Sequence, residues 1–166
     1  MPTKPKAVDP KRVILRPACE DDYGFLREVY ATTRLEELAQ TGLDQDQQAA
    51  FIDMQFRAQH ADYHHRFPDA AYSVIEAAGQ PVGRLYVDRR ADEVRILDIT
   101  IMPTHRGRGI GARLLEELID EVRETGKPLG IYLDNGCASI RLFERLGFKP
   151  IERGDPVTLF EWAATR

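Results

Sequence analysis

Residues 102–112 read Met102-Pro103-Thr104-His105-Arg106-Gly107-Arg108-Gly109-Ile110-Gly111-Ala112, between a strand pattern and the clearest helix pattern in the chain. Upstream, Val94 to Ile101 predicts a strand. Downstream, Ile110, Leu114, Leu115, Leu118, Ile119 and Val122 fall on one apolar stripe, which predicts a helix from about Arg108 to Thr125. Gly126 closes that helix and Pro128 blocks a restart. Three glycines alternate through the turn. Without Cβ atoms the backbone bends freely and a ligand can come close to its N–H groups. The first N–H groups of a helix lack internal partners and lie at the positive end of its dipole. With Arg106 and Arg108 adding charge, the turn is suited to a phosphate or pyrophosphate. The alternative is a tight turn with solvated arginines.

Two other phosphate-binding patterns fit less well. A Walker A loop needs a lysine that this turn lacks. The dinucleotide fingerprint Gly-x-Gly-x-x-Gly would place Ala112 last, which is sometimes allowed. That fingerprint opens the first βα unit of a parallel fold, however, and this turn follows a run of closely spaced strands. Tyr72 to Ala77, Val82 to Val87 and Val94 to Ile101 are joined by connections so short that the strands must be antiparallel neighbours.

Further out, Arg12 to Arg16 predicts a short strand ended by Pro17. A helix is expected from Glu20 to about Ala31, its acidic first turn suiting the dipole. A second runs from about Asp44 to His65, with Phe51, Met54 and Ala58 expected on its apolar face. Beyond the long helix come a strand at Leu129 to Leu133, a helix at Ser139 to Leu146 stopped by Gly147, and a hairpin of Phe148 to Glu152 with Val157 to Trp162. The order is β-α-α-β-β-β-α-β-α-β-β. The fold class is α/β, or more fully α+β: a mixed sheet with helices on its faces.

The bulk properties set outer limits. A chain of 166 residues suits one domain, and 43% apolar with 30% charged residues is ordinary for a soluble globular protein. Residues 1–11 are expected to be a disordered lead-in and residues 12–166 a single domain. No apolar run approaches the ~20 residues of a membrane span, and no secretory leader is evident. Cys19 and Cys137 are far apart and lack metal-ligand spacing, which fits a reducing cytoplasm. A net charge of -4 argues against nucleic acid as a partner, and no membrane partner is expected.

The sequence resembles the GNAT superfamily of acyl-CoA N-acyltransferases. Arg106-x-x-Gly109-x-Gly111 matches its Gln/Arg-x-x-Gly-x-Gly/Ala signature. Ile99-Thr100-Ile101-Met102-Pro103 looks like the family's fourth strand, and Leu142-Phe143-Glu144-Arg145-Leu146-Gly147-Phe148 like its Leu-Tyr-x-x-x-Gly-Phe motif. The resemblance covers roughly Val13 to Trp162, and the element order is also the family's. It implies a sheet splayed between strands four and five and an acetyl-CoA-dependent N-acetyltransferase with no metal. Backbone groups of Ile99, Thr100 and Ile101 would hold the pantetheine arm. The pyrophosphate would sit on N–H groups of Arg106, Gly107, Arg108, Gly109, Ile110, Gly111 and Ala112. The acceptor would be a primary amine of a small molecule or peptide, and a homodimer is admissible because dimers are common among relatives. A non-catalytic acyl-CoA-binding domain is the alternative.

The remaining site residues follow from the same resemblance. Some relatives use a glutamate near the start of the fourth strand as general base, and Glu93 stands there; the alternative is a solvated hairpin charge. Asp98, mid-strand among apolar residues, needs a polar partner. The tyrosine that often protonates the leaving thiolate falls on Phe143, so Tyr132, another hydroxyl or water would have to serve. Asn135 is the expected pantetheine contact, or else half of an Asn-Gly turn. On the acceptor side Tyr30 and Tyr63 are the candidate substrate contacts, with Gln55, His60, His64, His65 and Trp162 also near. His60 and His64 are four apart on a helix, but no third metal ligand is evident. Glu36, Glu37, Asp44, Asp46 and Asp53 would make the acceptor mouth acidic, favouring a cationic amine, or form a plain solvated face.

Overall fold

A computed structural model of the chain describes residues 12–164 together with Thr3 and Asp9. The expected lead-in therefore lies almost wholly outside the described residues. The elements are β1 (Val13–Pro17), α1 (Tyr23–Thr32), α2 (Leu35–Ala39), α3 (Gln45–Arg66), β2 (Ala71–Ala77), β3 (Gln80–Arg89), β4 (Val94–Ile101), α4 (Ile110–Thr125), β5 (Leu129–Asp134), α5 (Ile140–Arg145), β6 (Lys149–Glu152) and β7 (Val157–Trp162). This is the expected order with one addition, the short helix α2. The expected helix at Glu20 starts as a 3-10 turn, Glu20–Asp22, before α1 begins.

The strands form one sheet in the order β1-β2-β3-β4-β5-β7-β6. Only β4 and β5 run parallel, and they pair for three residues alone: Val94 with Leu129, Arg95 with Gly130 and Ile96 with Ile131. Beyond Ile96 the two strands part. β5 stays paired to β7 along its whole length, and β4 to β3 as far as Ile101. The gap between Leu97–Ile101 and Tyr132–Asp134 is therefore held open from both sides.

A bulge in β4 decides which side chains face that gap. Tyr86 pairs with Asp98 and Val87 with Ile96, so Leu97 is the extra residue. An extra residue shifts the two-residue alternation onto the other face. Val94 and Ile96 lie in the core with α4, and after the bulge Ile99 and Ile101 pack against that same core. Asp98 is thereby turned to the opposite face, where it meets Arg84. β3 and β4 also approach closely at Gly83, where a Cβ would collide with the Thr100 carbonyl.

The two faces have separate cores. Ile110, Leu114, Leu115, Leu118, Ile119 and Val122 of α4 are all buried with Ile75, Leu85, Phe143 and Phe148, as the apolar stripe predicts. Each such burial is worth about 1.5–3 kcal/mol relative to exposure. On the other face Leu26 and Tyr30 of α1 pack with Leu38, Ile52, Phe56 and Val74. Here the expectation for α3 holds only at Phe51, which is half-buried against this core. Met54 is 58% exposed and Ala58 is also exposed, while Ile52 and Phe56 turn inward. Both sets satisfy a helical spacing, and α1 packs on the second. Capping sets the start of α3: the Asp44 carboxylate accepts from the Gln47 N–H, and the Gln47 side chain accepts from the Asp44 N–H.

Candidate functional site

The gap between β4 and β5 opens into a cleft of about 790 Å3, which runs to the N-terminus of α4 and along α5. At that N-terminus Gly109 is left-handed, with φ at 83°, and no side chain caps the helix. The first helical bond runs from the Arg113 N–H to the Gly109 carbonyl. Among the described residues no acceptor meets the N–H groups of Ile110, Gly111 and Ala112. Unmet donors at the positive end of a four-turn helix are the physical content of an anion site. All the cofactor contacts expected from sequence line this cleft except Arg108 and Asn135.

Those two exceptions have structural causes. Asn135 is committed elsewhere: its Nδ2 donates to the Gly154 carbonyl at 2.7 Å, and its Oδ1 accepts from the Thr158 hydroxyl at 2.7 Å. It ties the loop after β5 to the β6–β7 hairpin. The Arg108 side chain is half-buried, with Nε lacking a hydrogen-bond partner. Arg106 does line the cleft, and its Nε donates to the Ile101 carbonyl at 2.9 Å, bracing the turn against the end of β4. Phe143 is 1% exposed and packs edge-on against Phe148 at 5.1 Å, so the ring serves the core as well as the cleft floor.

Glu93 lies away from the cleft. It precedes the paired segment of β4, so at about 3.3 Å per residue it sits roughly 10 Å before the strands part. Its oxygens take Arg90 at 2.6 Å and Arg95 at 2.8 Å. Neighbouring Glu161 has its carboxyl pushed up, by burial first and by Glu93 second. Glu93 is thus a member of an ion-pair cluster at the closed end of the sheet, and it does not line the cleft.

Asp98 and Tyr132 come to the cleft instead. Arg84, with only 1% of its side chain exposed, donates from Nη2 to Asp98 at 2.8 Å and to Gln59 at 3.0 Å. The Thr100 hydroxyl donates to the other Asp98 oxygen at 2.7 Å. A carboxylate accepts about four hydrogen bonds, so Asp98 keeps acceptor capacity toward the cleft. Arg84 Nε and Nη1 are buried without partners among the described residues, and its guanidinium lies 5.0 Å from the Tyr86 ring centre. Tyr132 is the first β5 residue past the parting point and is 49% exposed. Arg95 crosses over Gly130, where a Cβ would come within 3.2 Å of its Nε, and its guanidinium lies 4.9 Å from the Tyr132 ring centre.

The candidate acceptor residues divide. Tyr30 is 2% exposed within the α1–α3 core, its hydroxyl accepting from Arg34 Nε at 3.0 Å, so it does not reach the cleft. The Tyr63 hydroxyl donates to the carbonyl of the bulged Leu97 at 3.3 Å. Burial first, then Asp98, push that phenol well above its usual value, so it remains a donor. Its place is behind β4, shaping the bulge. His60 and His64 are neighbours, with ring centres 4.5 Å apart, and no group of three or more metal-binding side chains occurs among the described residues. Sequence reasoning missed Arg84, since a buried arginine has no local signature. Its one clue is Asp98, a carboxylate that a strand interior cannot hold alone.

Comparison with known proteins agrees with this geometry. The profile of the Acetyltransferase (GNAT) family matches residues 27–148. The chain therefore belongs to the GNAT acetyltransferase family. It is 47% identical over 53 residues to an L-methionine sulfoximine/L-methionine sulfone acetyltransferase of Salmonella typhimurium, covering 30% of each chain. It is 40% identical over 60 residues to the [ribosomal protein bS18]-alanine N-acetyltransferase of the same organism, covering 34% of this chain and 40% of that one. These matches span well under half the length of either relative. The fold matches that of the paiA N-acetyltransferase from Thermoplasma acidophilum in complex with coenzyme A, with a TM-score of 0.69 at 14% identity over 92% of this chain and 99% of that one.

Proposed function

We propose that the chain transfers an acetyl group from acetyl-CoA directly to a primary amine of a small molecule or peptide. The observation that carries this is the uncapped N-terminus of α4 opening onto a cleft that continues between two forcibly parted strands. The pyrophosphate sits on the N–H groups around Gly109–Ala112. The pantetheine arm runs along the open edge of β4, from Ile99 to Ile101, and brings the thioester to the parting point near Leu97 and Tyr132.

There the amine nitrogen attacks the thioester carbon, the C–N bond forms and the C–S bond breaks. The attacking amine must be neutral, which costs little for an α-amino group with a pKa of about 8 and more for a lysine type at about 10.4. The open acceptor positions of Asp98 hydrogen-bond the amine and take up its proton, through water where needed. The departing thiolate needs a proton in return. Among the cleft's aliphatic hydroxyls, the Thr100 one is spent on Asp98, the Thr33 one on the Tyr30 carbonyl, and the Ser139 one lies 3.3 Å from the Cys137 Sγ. Tyr132 is the one phenol in the cleft lining, and a phenol is a far stronger acid than an aliphatic hydroxyl. Tyr132 therefore takes the acid role that Phe143 cannot fill. Residues 12–166 act as one N-acetyltransferase domain on this reading, and two free cysteines suit a cytoplasmic setting.

Phe143 supports a second reading, in which the domain binds acyl-CoA without turning it over. Thiol release from acetyl-CoA across a panel of amino acids, peptides and alkyl amines, with the acetylated product identified by mass, separates the two. Release with at least one amine is expected. Tight acetyl-CoA binding without release for any amine would support the second reading.

A further inference from the structure

A second cavity lies on the other side of α3 from the cleft. It holds about 530 Å3 and is lined by the start of α1, the last turns of α3, and β2 and β3. It shares no lining residue with the cleft. Helix α3 separates the two: Gln59 and Tyr63 reach Arg84 and Leu97, whereas His60 and His64 turn toward Tyr23 and Tyr72.

The wall of this cavity is a continuous chain of rings. Tyr23 meets His60 edge-on at 5.4 Å, His60 meets His64 at 4.5 Å, His64 stacks on Tyr72 at 4.0 Å, and Tyr72 meets Tyr86 edge-on at 4.9 Å. Aromatic faces are electron-rich and attract cations. Glu20 adds a carboxylate to the lining, and no lysine or arginine lines the cavity. Burial first, then His64 and Arg84, hold the His60 imidazole below its usual range, so at neutral pH it adds no opposing charge. The buried charge of Arg84 is matched by Asp98 at 2.8 Å. The volume suits a small molecule rather than a single ion.

We propose that this cavity binds an organic ammonium ion of the quaternary type, held by the rings of Tyr23 and Tyr72 and the carboxylate of Glu20. Such a ligand has no N–H to acetylate, so the site is separate from the transfer reaction and stands whether or not the chain is catalytic. The test is calorimetric titration of the full chain with choline and with its neutral isostere 3,3-dimethyl-1-butanol, with and without saturating acetyl-CoA. Choline is expected to bind in both cases, and the isostere at least about fivefold more weakly, the scale of even an exposed cation–π contact. Tyr23 is 39% exposed, so Tyr23→Leu leaves the fold in place. It is expected to weaken choline about fivefold while acetyl-CoA affinity stays unchanged. A His64→Leu variant, which removes the ring stacked on Tyr72, gives an independent check. Absence of choline binding, equal binding of the isostere, or indifference to both variants would overturn the proposal.

Discussion

Gly111 and Gly109 differ in what a side chain would cost. A Cβ at Gly111 would meet only Leu142 Cδ2 at 3.9 Å, an ordinary contact. Alanine in a helix is favoured over glycine by up to about 1 kcal/mol, so Gly111→Ala is expected to keep or raise the urea midpoint. The signature that the turn resembles admits alanine at this place, so acetyl-CoA affinity is expected to change by less than about tenfold, that is by less than ~1.4 kcal/mol. Gly109 behaves differently: its φ of 83° strains any L side chain, and Gly109→Ala is expected to cost about 1–2 kcal/mol of stability as well as affinity. Tyr132→Phe is expected to lower kcat about a hundredfold or more, the usual weight of a general acid, with acetyl-CoA affinity unchanged. An unchanged kcat would return the acid role to water. The glycines were legible in the sequence because a turn is written in consecutive residues. The Arg84–Asp98 pair and the commitment of Asn135 to Gly154 and Thr158 were not, because such bonds join residues that only the folded sheet brings together.

Among the elements, β1 and the turn before α1 are joined by a clamp. Arg16 donates to both Asp22 oxygens at 2.7 Å and also pairs with Glu76 on β2. Asp22 accepts the Cys19 N–H at 2.8 Å as well. The Arg16 guanidinium is the main cause holding the Asp22 carboxyl well below the usual carboxylate range. A depressed carboxyl stabilises the fold above its unfolded value, about 3.9, and that contribution is lost as pH falls toward the folded value. Asp22→Asn is therefore expected to lower the urea midpoint at pH 7 and to make it fall less between pH 5 and pH 2. An acid limb identical to that of the unmodified chain would refute the clamp. Helix α4 was readable because all six stripe residues point one way. The inward face of α3 was not, because periodicity offers two apolar stripes and only packing against α1 selects Ile52 and Phe56. The bulge at Leu97 was equally hidden, although it determines which face Asp98 serves.

Across the whole molecule, a sheet pinned at both edges and parted in the middle links the separate features. β5 is held by β7 and β4 by β3, so the gap between them costs no backbone pairing that the outer strands would otherwise supply. The helix that follows β4 returns its positive end to the mouth of that gap, which is why a short glycine turn and a pair of parting strands make one elongated site. The overall order of elements was visible in the sequence through the spacing of turns and stripes. The second, aromatic cavity was not, since its rings come from four separate elements. The most direct test of the central claim is a calorimetric titration of the chain and of Gly109→Ala with acetyl-CoA, alongside NAD and ATP. One acetyl-CoA per chain, weakened about tenfold or more by the substitution with folding intact, is the expected result. No acetyl-CoA binding, or NAD binding in its place, would contradict it.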